Sequence, residues 1–238
     1  MNGYRSNPGP MNASPILDQP DSFPDSKTEI RLRGPAGQLQ AIADVTEAQD
    51  AVPAVAVICH PHPEHGGSFH NKVVTILERA LRELGLATVR FNFRGVGESE
   101  GKFDDGFGET EDLLAVLEWV RRVRPDAELW LGGFSFGSYI ALRAAQNLKL
   151  KQLISVAPPV GRYEFSEMDR PECAWMVIQG EEDDVVSAAS VVEWANNQEP
   201  PPDLIVIPEA GHFFHRRLMD LRGLVKNGVR SQLPAVDR

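Results

Sequence analysis

Apolar and polar side chains alternate over residues 28 to 33 and again over 38 to 45, on either side of Gly34-Pro35-Ala36-Gly37. A period of two broken by turn formers predicts a half-buried antiparallel hairpin at one edge of a sheet. Residues 54 to 59 drop the alternation for a continuous apolar run, as a strand covered on both faces requires. The period then changes. Val73, Val74, Ile76, Leu77, Ala80, Leu81 and Leu84 form the stripe of a helix over residues 71 to 84, which Gly85 ends. Residues 86 to 93 read as another buried strand. Residues 109 to 124 read as an amphipathic helix through Leu113, Leu114, Val116, Leu117 and Val120, stopped by Pro125. The apolar run from Leu129 ends in Gly133-Phe134-Ser135-Phe136-Gly137 and passes into a helical stretch reaching Ala145. Beyond it, residues 152 to 157, 173 to 179 and 204 to 207 read as strands. Strands alternating with helices predict an α/β fold: a doubly wound, mostly parallel sheet with helices on both faces.

Composition narrows the picture without redirecting it. A chain of 238 residues, 42% hydrophobic and 24% charged, can bury one sizeable core. Residues 1 to 25 carry five prolines and no periodic pattern, so they are expected to form a flexible tail. The domain is then expected over residues 26 to 230, with a short tail over 231 to 238. The net charge of -10, with no cluster of Lys and Arg, argues against nucleic acid as a partner. No apolar run approaches the roughly 20 residues needed to cross a bilayer. The polar amino terminus has no apolar core of a signal peptide, and the expected location is cytoplasmic. Cys59 and Cys173 lie in apolar runs, where a thiol behaves as a small hydrophobe, so no disulfide is expected.

Chemistry gathers in the loops after the strands. Gly-x-Ser-x-Gly between a buried strand and a helix is the pattern of a nucleophile elbow, in which Ser135 takes strained backbone angles and Gly133 and Gly137 let strand and helix nearly touch. His60-Pro61-His62-Pro63-Glu64-His65-Gly66-Gly67 follows the strand at 54 to 59. Clustered imidazoles suit a metal ion, although Glu64 stands where a metallo-β-lactamase-type zinc loop has Asp and both intervening residues are proline. Alternatively the loop supplies a backbone N–H to an oxyanion, which Pro61 cannot do and His62 can. The side chain of His60 then reads as a packed, hydrogen-bonded loop histidine. Arg94-Gly95-Val96-Gly97 lacks the last glycine of a dinucleotide loop, Glu100 standing in its place, so no nicotinamide cofactor is indicated. Two further loops hold Gly180-Glu181-Glu182-Asp183-Asp184 and Glu209-Ala210-Gly211-His212. Ligands in open α/β sheets sit beyond the carboxyl ends of the strands, so these loops and Ser135 are expected to converge.

Serine, acid and histidine follow one another in the order of the α/β-hydrolases. With His60 to Pro63 and the Phe91-Asn92-Phe93-Arg94-Gly95-x-Gly97-x-Ser99 segment, the chain resembles, over residues 28 to 225, the serine α/β-hydrolases. Within them it is similar to small bacterial dienelactone-hydrolase-like proteins, with serine where dienelactone hydrolase itself carries a cysteine nucleophile. The resemblance implies an α/β-hydrolase fold and a Ser-His-Asp hydrolase; no cofactor or metal is expected, and the expected substrate is a small carboxylic ester or thioester, with peptidase chemistry served by the same apparatus. Ser135 would be the nucleophile, His212 the base and Asp183 the orienting acid, with the N–H groups of His62 and Phe136 as the oxyanion hole. Asp184 and His215 are the rivals of Asp183 and His212. Asp183 matches the family's Gly-x-x-Asp, and His212 has the preceding glycine that His215 lacks. A metal-dependent hydrolase built on residues 60 to 65 and a non-catalytic binding protein of the same fold are the other function classes. About fifteen residues separate the strands ending near Ala157 and starting near Cys173, too few for a helical cap. An uncapped site walled by Tyr163, Phe165 and Phe69 is expected.

Overall fold

The central strands are buried along nearly their whole length because both of their faces are covered. In the computed structural model, which describes residues 16–46 and 51–234, Val55, Val57 and Cys59 of one strand face one hydrophobic layer. Ala54, Ala56 and Ile58 of the same strand face the other. That alternation places helices on both sides of a nine-stranded sheet.

The strands are β1 (Leu17–Asp18), β2 (Thr28–Gly34), β3 (Gly37–Asp44), β4 (Ala54–Cys59), β5 (Ala87–Phe91), β6 (Glu128–Phe134), β7 (Gln152–Val156), β8 (Ala174–Gly180) and β9 (Asp203–Ile207). The helices are α1 (Lys72–Arg82), α2 (Phe107–Val123), α3 (Phe136–Ala145), α4 (Ala188–Asn196) and α5 (Leu218–Val229). Spatial order is β1-β2-β3-β5-β4-β6-β7-β8-β9. The β2–β3 and β3–β5 pairs are antiparallel, and all the others are parallel. Helices α2, α3 and α4 bury their apolar sides on one face, and α1 and α5 on the other. This is the doubly wound, mostly parallel α/β architecture expected from the periodicity. No helix interrupts the chain between β7 and β8.

Two features depart from expectation. The hairpin β2–β3 is not the outer edge, because Leu17–Asp18 adds a short parallel strand outside it. The expected tail over residues 1 to 25 therefore needs correcting from residue 16 onward, residues 1–15 lying outside the described residues. Phe23 is buried and stacks on Trp119 with ring centroids 5.5 Å apart, while Trp119 Nε1–H donates to the Pro20 carbonyl at 2.8 Å. A proline-rich segment can pack without any periodicity of its own, since one aromatic seated on a helix is enough to hold it. The expected carboxyl-terminal tail over residues 231 to 238 begins within a single 3-10 turn, Arg230–Gln232, and residues 235–238 lie outside the described residues. Helices α4 and α5 were not anticipated.

Candidate active site

The site is built where the parallel strands end. Ser135, between β6 and α3, has φ 52° and ψ -121°, a backbone conformation that a side-chain-bearing residue rarely adopts. The surrounding glycines hold it there. A Cβ on Gly133 would lie 2.2 Å from the Gly137 carbonyl oxygen, and one on Gly137 would lie 2.4 Å from that of Cys59. Only a bare backbone lets α3 start so close to β6 and β4. Ser135 N–H donates to Val156 O on the neighbouring strand at 2.8 Å, so the sheet itself fixes the turn.

From the ends of β8 and β9, beyond β7, come a carboxylate and an imidazole. Gly180 closes β8, and a Cβ there would meet the Ala210 carbonyl oxygen at 2.3 Å, so the loop after β9 can lie directly against the loop after β8. The backbone bonds Glu181 N–H to Ile207 O and Glu182 N–H to Ala210 O, each 3.0 Å, tie the two loops together. Across that contact His212 Nδ1 is 2.8 Å from Asp183 Oδ2, and His212 Nε2 is 3.1 Å from Ser135 Oγ. A carboxylate can only accept, so Nδ1 carries the proton and Nε2 offers its lone pair to the serine hydroxyl. The Asp183 side chain is fully buried. Its Oδ1 accepts from Val185 N–H at 2.9 Å and Val186 N–H at 2.7 Å, and Gln179 Nε2 donates to Oδ2 at 2.9 Å. Burial pushes its carboxyl upward, but hydrogen bonds from His212 and from Val186 and Val185 outweigh that, and the net shift is below the ordinary carboxylate range. Phe134 packs against the His212 ring, centroids 5.0 Å apart. Asp184 and His215, the rivals by sequence, are exposed and outside this chain of contacts.

Ser135, Phe136, His62 and His212 open onto one cavity of about 620 Å³, the size of a small-molecule site. Neither His62 N–H nor Phe136 N–H has an acceptor among the described residues. The His62 ring packs against Phe103 and Phe136, and burial followed by the neighbouring His65 lowers its pKa. The histidine loop folds tightly because a Cβ on Gly67 would fall 2.0 Å from the Pro61 carbonyl oxygen. Within it His60 is fully buried, and Nδ1–H donates to Pro61 O at 2.6 Å while Nε2 accepts from Phe93 N–H at 3.0 Å. Both nitrogens are committed to backbone, which leaves no lone pair for a metal. Among the described residues no three His, Cys, Asp or Glu side chains are grouped to hold an ion.

The segment after β5 acts as a brace. Asn92 Oδ1 accepts Phe69 N–H at 2.9 Å, tying it to the histidine loop, and buried Arg94 forks onto fully buried Asp112, the shortest contact being 2.8 Å. Tyr163 lines the cavity as expected, but Phe69 and Phe165 do not: both are buried in the interior. Pro159, Val185, Val186 and Phe213 stand in their place. Gln179, which braces Asp183, also went unread in the sequence, although a lone polar residue closing an apolar strand beside an acidic loop was the available signal.

Known proteins carry the same frame. Residues 55–172 match the family described as the alpha/beta hydrolase fold. A Xanthomonas campestris structure, described as a member of the a/b serine hydrolases without lid, is 50% identical with a TM-score of 0.88, covering 91% of this chain and 99% of its own. The chain belongs to the serine α/β-hydrolase superfamily. An alpha-beta serine hydrolase homologue from Coxiella burnetii is 44% identical, TM-score 0.84, over 87% of this chain and all of that one. An uncharacterised protein of Rickettsia prowazekii is 35% identical over 78% of this chain and 82% of its own length. The absence of a helix between β7 and β8 in this hydrolase agrees with the lidless description of its Xanthomonas relative.

Proposed function

We propose that the chain hydrolyses small carboxylic esters or thioesters through an acyl-enzyme, with Ser135 as nucleophile, His212 as general base and Asp183 as the group that orients it. The observation that carries this reading is the unbroken relay from Asp183 Oδ2 through His212 to Ser135 Oγ, with contacts of 2.8 and 3.1 Å, at the wall of the cavity. A serine hydroxyl is a weak nucleophile near neutral pH. As Oγ adds to the substrate carbonyl carbon, its proton passes to His212 Nε2, and Asp183, ionised because its pKa is depressed, stabilises the imidazolium. The unpaired N–H groups of His62 and Phe136 receive the oxyanion, each worth on the order of 3 kcal/mol to the transition state. Collapse expels the alcohol or thiol, which takes the proton from Nε2. Water then repeats the sequence on the acyl-enzyme and regenerates Ser135.

Labelling with a fluorophosphonate probe followed by peptide mapping tests the assignment. The probe is expected on Ser135, and Ser135→Ala is expected to lose label and to lower ester turnover by at least about a thousandfold with an unchanged circular dichroism spectrum. Turnover retained in that variant would overturn the reading. A panel of matched esters, thioesters and amides then ranks the leaving groups.

A further inference from the structure

The protein carries 34 Asp and Glu against 24 Lys and Arg, yet among the described residues no carboxylate side chain lines the cavity beside Ser135. Its lining holds a single fixed cation, Arg162. The nearby acids Glu64 and Asp105 act on His62 from outside that lining. Building on the serine-hydrolase reading above, we infer that the preferred substrate is an ester bearing a second, free carboxylate, and that Arg162 is the residue that selects it.

The position of Arg162 is set by backbone. Gly161 turns the chain at φ 83°, Arg162 N–H donates to Pro159 O at 3.0 Å, and Val160 bridges to Tyr163. At the far end of the side chain Nη2 donates to Val185 O at 2.7 Å. Val185 is also the residue whose N–H holds Asp183 Oδ1, so the backbone of one residue fixes both the guanidinium and the relay acid. Apart from that carbonyl, the side chain has no hydrogen-bond partner and no ion-pair partner among the described residues. The rest of its planar N–H fork is available, and that fork matches a carboxylate in a bidentate pair. With a net charge of -10 the whole molecule repels anions at long range. Selection is therefore made at contact distance, by an arginine in an acid-free wall, and not by steering.

The test uses two pairs of shape-matched substrates with the wild-type chain. Monomethyl glutarate, whose anion is on the acyl side, is compared with methyl 4-carbamoylbutanoate, and acetoxyacetate, whose anion is on the alcohol side, with 2-acetoxyacetamide. In at least one pair kcat/KM is expected to favour the acid by about tenfold or more. Arg162→Gln keeps a polar side chain and removes the charge, and it is expected to bring that ratio to about one, with Arg162→Lys intermediate and Arg162→Glu favouring the amide. A purely structural role for Arg162 would lower both members of a pair together and leave the ratio unchanged, which would overturn the proposal. So would the absence of a preference for the acid in both pairs. Fluorophosphonate labelling of Ser135 in the same preparations separates the two readings: label with an indifferent ratio rejects only the role of Arg162, whereas no label rejects the nucleophile and this proposal with it.

Discussion

At the scale of single residues, hydrogen-bond partners separate side chains that are chemically alike. Asp183 accepts from two backbone N–H groups, an amide and an imidazole, whereas its neighbour Asp184 faces water. Asp183→Asn would present a donor to Nδ1 and force the wrong tautomer, and kcat is expected to fall by about ten-thousandfold, against little change for Asp184→Asn. Steady-state kinetics on one ester checks the ranking, and the reverse order would move the acid by one position. His60 gives a prediction about stability. Burial lowers its pKa to about 4, from an ordinary value near 6.5. Between those values the unfolded chain binds the proton and the folded chain does not, so stability is fully present above about pH 6.5 and declines as pH falls toward about 4. The loss is on the order of 3 kcal/mol at most. Asp183, whose pKa is depressed, contributes stability that is lost only as pH falls below the ordinary carboxylate range. His60→Asn is expected to be less stable at neutral pH and to show a flatter dependence between pH 6.5 and 4 in urea unfolding. An unchanged slope would show that His60 is not the group that titrates.

At the scale of elements, close backbone approach decides where glycine is required and where it is merely tolerated. On Gly137 a Cβ would fall within 2.5 Å of two carbonyl oxygens, those of Cys59 and His60, neither of which can yield without moving β4 or the histidine loop. Gly137→Ala is expected to cost about 3 kcal/mol or more and to abolish probe labelling of Ser135. Gly223 lies inside α5 with no atom near the position of a Cβ. Alanine there removes backbone freedom from the unfolded chain and favours the helix, so Gly223→Ala is expected to stabilise by about 0.5–1 kcal/mol. Thermal unfolding of the two variants should move in opposite directions.

At the scale of the molecule, the lack of a helix between β7 and β8 leaves the cavity without a roof. Its apolar wall is short, made by half-buried Tyr163 with Val185, Val186 and Phe213, which is 45% exposed. Each methylene of an acyl chain gains about 0.8 kcal/mol only while there is surface to bury it. On p-nitrophenyl esters kcat/KM is therefore expected to peak at acyl lengths of about C2 to C6 and to be indifferent to added lipid vesicles. A rise continuing through long chains would reveal an acyl tunnel. Among the described residues no helix is long and apolar enough to cross a membrane.

The sequence by itself determined what depends on neighbours along the chain. The alternation of buried strands and amphipathic helices is a local periodicity, and so it specified the doubly wound fold. The Gly-Phe-Ser-Phe-Gly elbow is local turn chemistry, and it singled out Ser135 before any contact was known. Even so, α5 was hidden although Leu221, Val225 and Val229 recur at helical spacing, because Gly223 and Gly228 oppose helix on intrinsic grounds and the burial of that stripe against α1 and the sheet outweighs them. The packing of Phe23 on Trp119, the burial of Phe69 and Phe165 away from the cavity and the presence of Arg162 on its wall were decided by tertiary structure alone. Each of these depends on which distant strand end lies opposite, and that is set when the sheet assembles and its loops meet, not by any spacing along the chain.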